Sequence, residues 1–429
     1  MISLLYTMKK QKHIIIIGAG AAGLIAAKEL SSSGYEITIL EAAEKAGGRM
    51  CTSTQNKFGM PVEPGAEFIH GNLQLTLQLL KEANIKYTPI NGKMVHFTNE
   101  KIKRHDDLDK HWDELMEQID ELKEDMTIDD FLNKYFGDEK YEQLRQSVQG
   151  FAEGFDLADT AKAAMIPLKK EWAHEEEAQY RIDGGYIKLT EYLVETCLKN
   201  KVNIQYDCFV ETINWKNDDV TITTIDNRTF TAQKLIITVS AGMLQSGKID
   251  FIPAIPAYMK AVNDIGFGSV IKILLQFKDQ FWKKKSKGAG FILSNETIPT
   301  WWTQLPDDNT LLTGWLGGPK AYAHKNTSSE EIIQLSIQSL SSIFDCTVEE
   351  LQENLLHAEV YNWSNDKCSL DGYSYSSLSS AEAKQVLNTP LENTMYFSGE
   401  ATYSGDAQAT VEAALQSGVH VASVILAEK

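Results

Sequence analysis

One segment constrains this chain more than any other. Residues 13–41 carry a strand, a glycine-rich turn, a helix, a second strand and a closing acid, in that order. His13 to Ile17 is a short run rich in β-branched residues, as expected of a strand buried on both faces of a parallel sheet. Gly18-Ala19-Gly20-Ala21-Ala22-Gly23 follows at once, and Leu24 to Leu30 is apolar at helical spacing and rich in alanine. Ser31 to Gly34 ends that helix, Tyr35 to Leu40 reads as the second strand, and Glu41 sits at its C-terminal end. The sum is a compact βαβ unit.

The three glycines of such a turn do different work. Gly18 permits the tight turn out of the strand, Gly20 lets the backbone approach a pyrophosphate, and Gly23 lets helix and strand pack closely. Ala22 lies in the first helical turn, whose unpaired N–H groups and partial positive charge suit phosphates. Glu41 can accept hydrogen bonds from a ribose 2′-OH and would repel the 2′-phosphate of NADP. The next segment, Ala46-Gly47-Gly48-Arg49, turns the expectation from NAD to FAD. Gly47 and Gly48 allow close backbone approach, and Arg49 can pair with the pyrophosphate.

At 429 residues the chain exceeds one ordinary core, so two domains are expected. Leu108, Trp112, Leu115, Ile119, Leu122 and Met126 recur at steps of four and three, which predicts one amphipathic helix with a packing stripe. Thr127-Ile128-Asp129-Asp130 reads as a fresh helix start. Short strands with Asn-Asp and Asp-Asn turns between 200 and 240 predict a β-meander feeding a parallel strand. Val270 to Phe277 is a further strand, and period two puts Lys272 on the face of Val270 and Leu274. An ammonium there must be paired or functional, because an isolated buried charge is costly. Residues 328–358 read as two helices, and Tyr396 to Ser398 as a short strand before a small-residue helix from Thr410. The expected fold class is α/β, with a Rossmann-type FAD-binding domain interleaved with an α+β substrate-binding domain. The FAD-binding segments are expected at 8–74, 183–252 and 390–429. The substrate domain takes 75–182, its helical part, and 253–389, its sheet part.

Charge and cysteine usage narrow the partners. Fifty-nine acidic against forty-one basic side chains leave a formal charge of −18. That argues against nucleic acid and suits a cationic small molecule, which an acidic surface can steer. Five cysteines without a C-x-x-C pair argue against a disulfide framework and for a reducing, cytoplasmic location. No Cys or His spacing suits a metal. No run approaches the ~20 apolar residues of a membrane helix, so no membrane partner is expected. Met8-Lys9-Lys10 looks like an alternative translation start, and residues 1–7 are expected to be an extension without a role in the fold. The oligomeric state stays open between monomer and homodimer.

The blocks GAGAAGLIAAKEL (18–30), Glu41, GGRM (47–50) and VEPGAEFIHG (62–71) resemble the flavin amine oxidase family. That family includes monoamine oxidases, polyamine oxidases, flavin histone-lysine demethylases and L-amino acid oxidases. The likeness continues through KLIITVSAGML (234–244), GFGSVIKILLQF (266–277), NWSNDKCSLDGYSY (362–375) and YFSGEATYSGDAQATVEAALQSGVHVA (396–422). The resemblance implies that Glu400 holds the flavin's ribityl–phosphate region, and that Val210 touches the adenine through its backbone. It implies that backbone N–H groups near Thr410 and Val411 face the flavin O2 side. Lys272 matches the lysine that contacts flavin N5 through a water and is tied to oxygen reactivity. His70 resembles the histidine lining the amine channel of polyamine oxidases. Tyr373 looks like one wall of the aromatic cage, with Trp363 packed near the ring. Gly184-Gly185 before Tyr186 resembles the family's turn between substrate and FAD segments.

Departures from the family pattern sharpen the expectation. Gly372 stands where monoamine oxidases carry the flavin-linking cysteine, and Cys368 is out of register, so FAD is expected to be non-covalent. The second cage aromatic of those enzymes falls near Thr410, which is not aromatic; Tyr403 is the candidate to compensate. The implied reaction oxidises a polyamine or another primary or secondary amine to an imine by hydride transfer to flavin N5. Reoxidation by O2 then gives H2O2 and, after hydrolysis, an aldehyde. Glu171, Glu175, Glu176, Glu177, Glu63 or Glu67 could anchor a second amine at the channel mouth. Two alternatives stay open: an L-amino acid oxidase or related flavin desaturase, and a non-catalytic scaffold that binds FAD.

Overall fold

The computed structural model describes residues 12–54, 56–98, 101–104, 111–172 and 178–428. Residues 1–7, Leu108 and the Glu175–Glu177 run lie outside the described residues, as does the side chain of Glu171. The fold is α/β, and its Rossmann-type sheet is five-stranded and parallel. The strand order is 395–397, 234–237, 13–17, 36–40 and 203–205. The β-branched run at its centre is explained by burial on both faces. Ile14 and Ile16 pack with the helices Ala21–Ser31 and Ile187–Lys199, whereas Ile15 and Ile17 face the meander strands and the helix Pro256–Asp264. The strands 210–216, 219–224 and 229–232 form the expected meander, which leads into the parallel strand 234–237.

A seven-stranded sheet forms the second layer, in the order 355–362, 270–277, 311–317, 300–302, 289–294, 93–98 and 101–104. Its two faces differ in chemistry. Ile271, Ile273, Leu275 and Phe277 pack with Ile332, Ile337 and Leu340 of the helix Ser329–Phe344. That helix begins with a reciprocal capping box between Ser328 and Glu331. Val270, Lys272 and Leu274 alternate onto the opposite face. A small sheet joins the strands Ile69–His70, Gln179–Ile182 and Tyr87–Pro89.

The helical part differs from its sequence pattern at one point. The stripe through Met126 predicts one helix, yet the helix spans Trp112–Asp120. Asp125 is drawn elsewhere, because its Oδ1 accepts from Met165 N and Ile166 N, both at 3.1 Å, at the start of the helix Met165–Trp172. Thr127 caps a fresh helix, Ile128–Tyr135, as expected. Leu122 and Met126 keep the apolar contact that the period announced without being helical. No helix among the described residues is long and apolar enough to cross a membrane.

Candidate functional site

The first helix, Ala21–Ser31, has Gly20 as its N-cap residue, with no side-chain cap and no acid in its first turn. Its first N–H groups and positive dipole end are therefore available to an anion. Space beyond the Gly20 Cα is open, and a Cβ on Gly48 would lie 3.5 Å from that Cα. Gly23 is fixed by packing: a Cβ there would meet Gly18 O at 2.0 Å. Ala22 is buried in the same turn. Glu41, also buried, accepts from Ala19 N at 2.6 Å and Ala43 N at 2.9 Å. Burial raises its carboxyl above the ordinary range, against those backbone donors. Each oxygen keeps a second lone pair for a ribose hydroxyl. The chain at 205–208 runs alongside, through Glu41 N to Gln205 O and Cys208 N to Glu41 O, both 2.8 Å. That contact brings buried Val210, at the start of its strand, to the same end of the sheet. Open backbone space, uncapped N–H groups and a buried carboxylate together fit a dinucleotide such as FAD.

Arg49 and Glu400 are brought together. Arg49 Nη1 donates to Glu400 Oε1 at 2.9 Å and to Gly372 O at 2.6 Å. Ser374 Oγ donates to the other Glu400 oxygen at 2.6 Å. A cavity bounded by Arg49, Ser240, Leu244, Phe397 and Glu400 adjoins the pair. Thr410 caps the last helix, Val411–Ala427, by accepting from Ala413 N at 3.2 Å. Glu412 in that first turn reaches away and caps a second helix, Gln74–Glu82. It accepts from Leu75 N at 3.0 Å, and from Thr76 N and Oγ1 at 2.7 Å.

Lys272 is 1% exposed and donates to Glu67 Oε2 at 2.7 Å and Gly65 O at 3.1 Å. Its ammonium lies 5.3 Å from the Trp302 ring centroid. Ala66 N, next along from Gly65, donates to Arg49 O at 3.0 Å, so the lysine and the Arg49–Glu400 pair share one peptide turn. Glu67 Oε1 accepts from Trp302 Nε1 at 2.9 Å and Arg181 Nε at 3.1 Å. Neither Glu67 nor Glu63 stands as a free anion at a channel mouth. Glu63 is held by Tyr186 N at 2.7 Å and Thr52 Oγ1 at 3.0 Å, and burial pushes its carboxyl up to about 7.

Aromatic side chains line the same face of the seven-stranded sheet. Tyr373 stacks on Trp315 at 6.4 Å and 25°, Trp315 meets Trp302 at 5.9 Å, and Phe68 meets Trp302 at 5.5 Å. Phe68 and Phe155 both pack edge-on against His70, at 6.0 and 5.6 Å. Trp315 Nε1 donates to Gly154 O at 2.6 Å, and Tyr373 OH donates to Phe155 O. His70 Nδ1 has no hydrogen-bond partner among the described residues, and burial pushes the imidazole down to about 4. Trp363 sits behind Tyr373, packed with Leu157 and Val270, its Nε1 on Pro64 O at 3.0 Å. Tyr403 lies over Gly405, and the ring stacked on Tyr373 is Trp315. Gly372 has no room for a side chain: a Cβ would meet Leu157 Cδ1 at 2.6 Å and Gly268 O at 2.9 Å.

Sequence patterns did not single out Trp302, Trp315, Arg181, Phe68, Phe155 or Glu412. The apolar strand runs at 300–302 and 311–317 were the available signal. They needed the strand pairing, Lys272 opposite Trp315 and Trp302 opposite Thr313, to become informative.

Residues 21–426 match the sequence model of the family described as flavin containing amine oxidoreductase. Lysine-specific histone demethylase 2 of Homo sapiens is 28% identical over 466 residues, covering 98% of this chain and 54% of that protein. Polyamine oxidase 4 of Oryza sativa subsp. japonica is 26% identical over 461 residues, covering 98% of this chain and 90% of that protein. The chain thus spans about half the length of the first of these curated relatives. The solved structure of wild-type putrescine oxidase bound to putrescine has a TM-score of 0.81 and 18% identity. It covers 97% of this chain and 99% of that one, a likeness of fold alone. The match over nearly the whole chain agrees with the glycine cradle and the aromatic, lysine-bearing sheet face: this chain belongs to the flavin containing amine oxidoreductase family.

Proposed function

We propose that this chain is a FAD-dependent oxidase of a polyamine or another primary or secondary amine, with FAD held non-covalently. The observation that carries the reading is convergence. Lys272 donates to Gly65 O, the adjoining peptide is bonded to Arg49 O, and the Arg49 side chain holds Glu400 and the carbonyl next to Tyr373. When bound, FAD would take a hydride from the amine's α-carbon at N5 and pass two electrons to O2, giving an imine, then an aldehyde, and H2O2. Gly18, Gly20, Ala22, Gly23, Glu41, Gly48, Arg49, Val210, Glu400, Thr410 and Val411 would hold the cofactor. Tyr373 and Trp315 would flank the substrate, an apolar setting that favours the uncharged amine. His70, neutral at physiological pH, can accept a hydrogen bond from a substrate N–H through Nδ1. The packing around Gly372 supports non-covalent binding, because a linking side chain there would collide with Leu157.

Amine is favoured over amino acid by one feature. Arg181, the guanidinium beside the aromatic face, is held by Glu67 at 2.9 Å and by the Leu305 and Thr303 carbonyls and is not free to clamp a carboxylate. The same reading assigns segments 8–74, 183–252 and 390–429 to the cofactor side and 75–182 and 253–389 to the substrate side. The strand membership of the two large sheets supports that division. Two assays test the proposal. Acid precipitation should leave FAD in the supernatant, and aerobic incubation with spermidine, spermine or putrescine should yield peroxide. Flavin that stays with the precipitate refutes the non-covalent part. Peroxide from L-amino acids and not from amines refutes the substrate class.

A further inference from the structure

The charge cluster around Lys272 is more elaborate than packing requires. Three strands converge on one carboxylate: 270–277 through Lys272, 300–302 through Trp302 and 179–182 through Arg181. Glu67 receives Lys272 Nζ on Oε2, and Trp302 Nε1 and Arg181 Nε on Oε1, with Arg181 Nη2 at 2.9 Å from that same oxygen. The Lys272 and Glu67 side chains are 1% and 6% exposed. Arg181 is itself fixed by Leu305 O at 2.8 Å and Thr303 O at 3.1 Å, and it lies 4.9 Å from the Phe68 ring centroid. Two of the three Lys272 donors are spent on Glu67 and Gly65 O, which leaves one N–H and one orientation.

We propose that Glu67 is a positioning residue that holds and aims the Lys272 side chain, with Trp302 and Arg181 fixing Glu67 in turn. An unpaired ammonium in this interior would be costly, and a single buried pair would leave carboxylate lone pairs unsatisfied. The four donors remove both costs. Two cations against one anion also leave the cluster with a net positive charge, suited to a site where negative charge develops on the flavin or on O2. Burial alone would raise the Glu67 carboxyl; Lys272 and Arg181 outweigh it and hold the group below its usual range. The other ionisable groups that feel Lys272 or adjoin it are Glu63, Cys51 and, on the neighbouring strand, Tyr361. This inference rests on the amine-oxidase reading only for what Lys272 does next.

The test uses holoenzyme reduced with dithionite and mixed with O2, so that no amine is needed. Lys272→Met should slow reoxidation about a hundredfold. Glu67→Gln should slow it about tenfold. Glu67→Asp, which keeps the carboxylate on a shorter arm, should recover part of that loss. The double variant should be no slower than Lys272→Met. Melting of the apoproteins gives a second readout, and there the double variant should lose less than the sum of the singles. Wild-type rates in Glu67→Gln, or rates and melting losses that combine independently, overturn the positioning role. Equal rates in wild type and Lys272→Met overturn the oxidase role of the lysine; the apoprotein cycle then decides the pairing by itself.

Discussion

The cradle at the end of the parallel sheet and the aromatic face of the seven-stranded sheet are built by opposite means. The cradle is mostly backbone. Gly20, Gly23 and Gly48 work by having no side chain, and the uncapped first helix offers N–H groups. The aromatic face is mostly side chain, and its central carboxylate draws partners from three strands. A backbone device has little slack, because a Cβ either fits or collides. A side-chain network spreads its function over several partners, so loss of one costs stability and rate without blocking the space the cofactor needs. Substitutions on the cradle side should therefore abolish folding or cofactor retention, whereas those on the aromatic side should change rates.

The largest effect is expected at Gly23→Ala. With Gly18 O at 2.0 Å from the new Cβ, we expect a loss of about 3 kcal/mol and of bound flavin, measured by urea denaturation and absorbance. A soluble variant with full flavin would break the comparison. Next, Gly372→Cys should fail to gain a covalent flavin and should melt several degrees lower, because Leu157 Cδ1 occupies the space. Adding Leu157→Ala should recover part of the loss. Glu412→Gln removes the charge that caps the helix Gln74–Glu82 from the far end of the chain, for about 2 kcal/mol in chemical denaturation. The smallest effect concerns pH. His70 titrates near 4 in the fold against about 6.5 unfolded, so the unfolded chain binds the extra proton between those values. Stability should fall as pH drops through that window, and His70→Gln should lose less over it than wild type does.

How much of this was legible in sequence follows the same division. The turn at Gly18–Gly23 and the acid at Glu41 are local, and each residue type has one physical reason to be there. Lys272 was legible as an anomaly, a charge in an apolar strand, but its partner was not. Glu67 read as an available anion because nothing in the sequence says that Arg181 and Trp302 converge on it. The stripe from Trp112 to Met126 misled in the other direction. Its apolar period was right about burial and about a helix over Trp112–Asp120, and wrong only about how far that helix runs, since Asp125 satisfies two N–H groups of a later helix. Arg49 and Glu400 were each assigned to a cofactor, and their mutual pairing at 2.9 Å came only with the fold.

If the aromatic face oxidises an amine through bound flavin, substrate alone must reduce that flavin. The most direct test is anaerobic mixing of the purified holoenzyme with spermidine, spermine, putrescine, a phenethylamine and several L-amino acids, following loss of flavin absorbance. Rapid bleaching is expected with at least one polyamine or other amine and none with the amino acids. Bleaching by amino acids alone, or no bleaching by any of the compounds with FAD fully bound, rules out amine oxidation at this face.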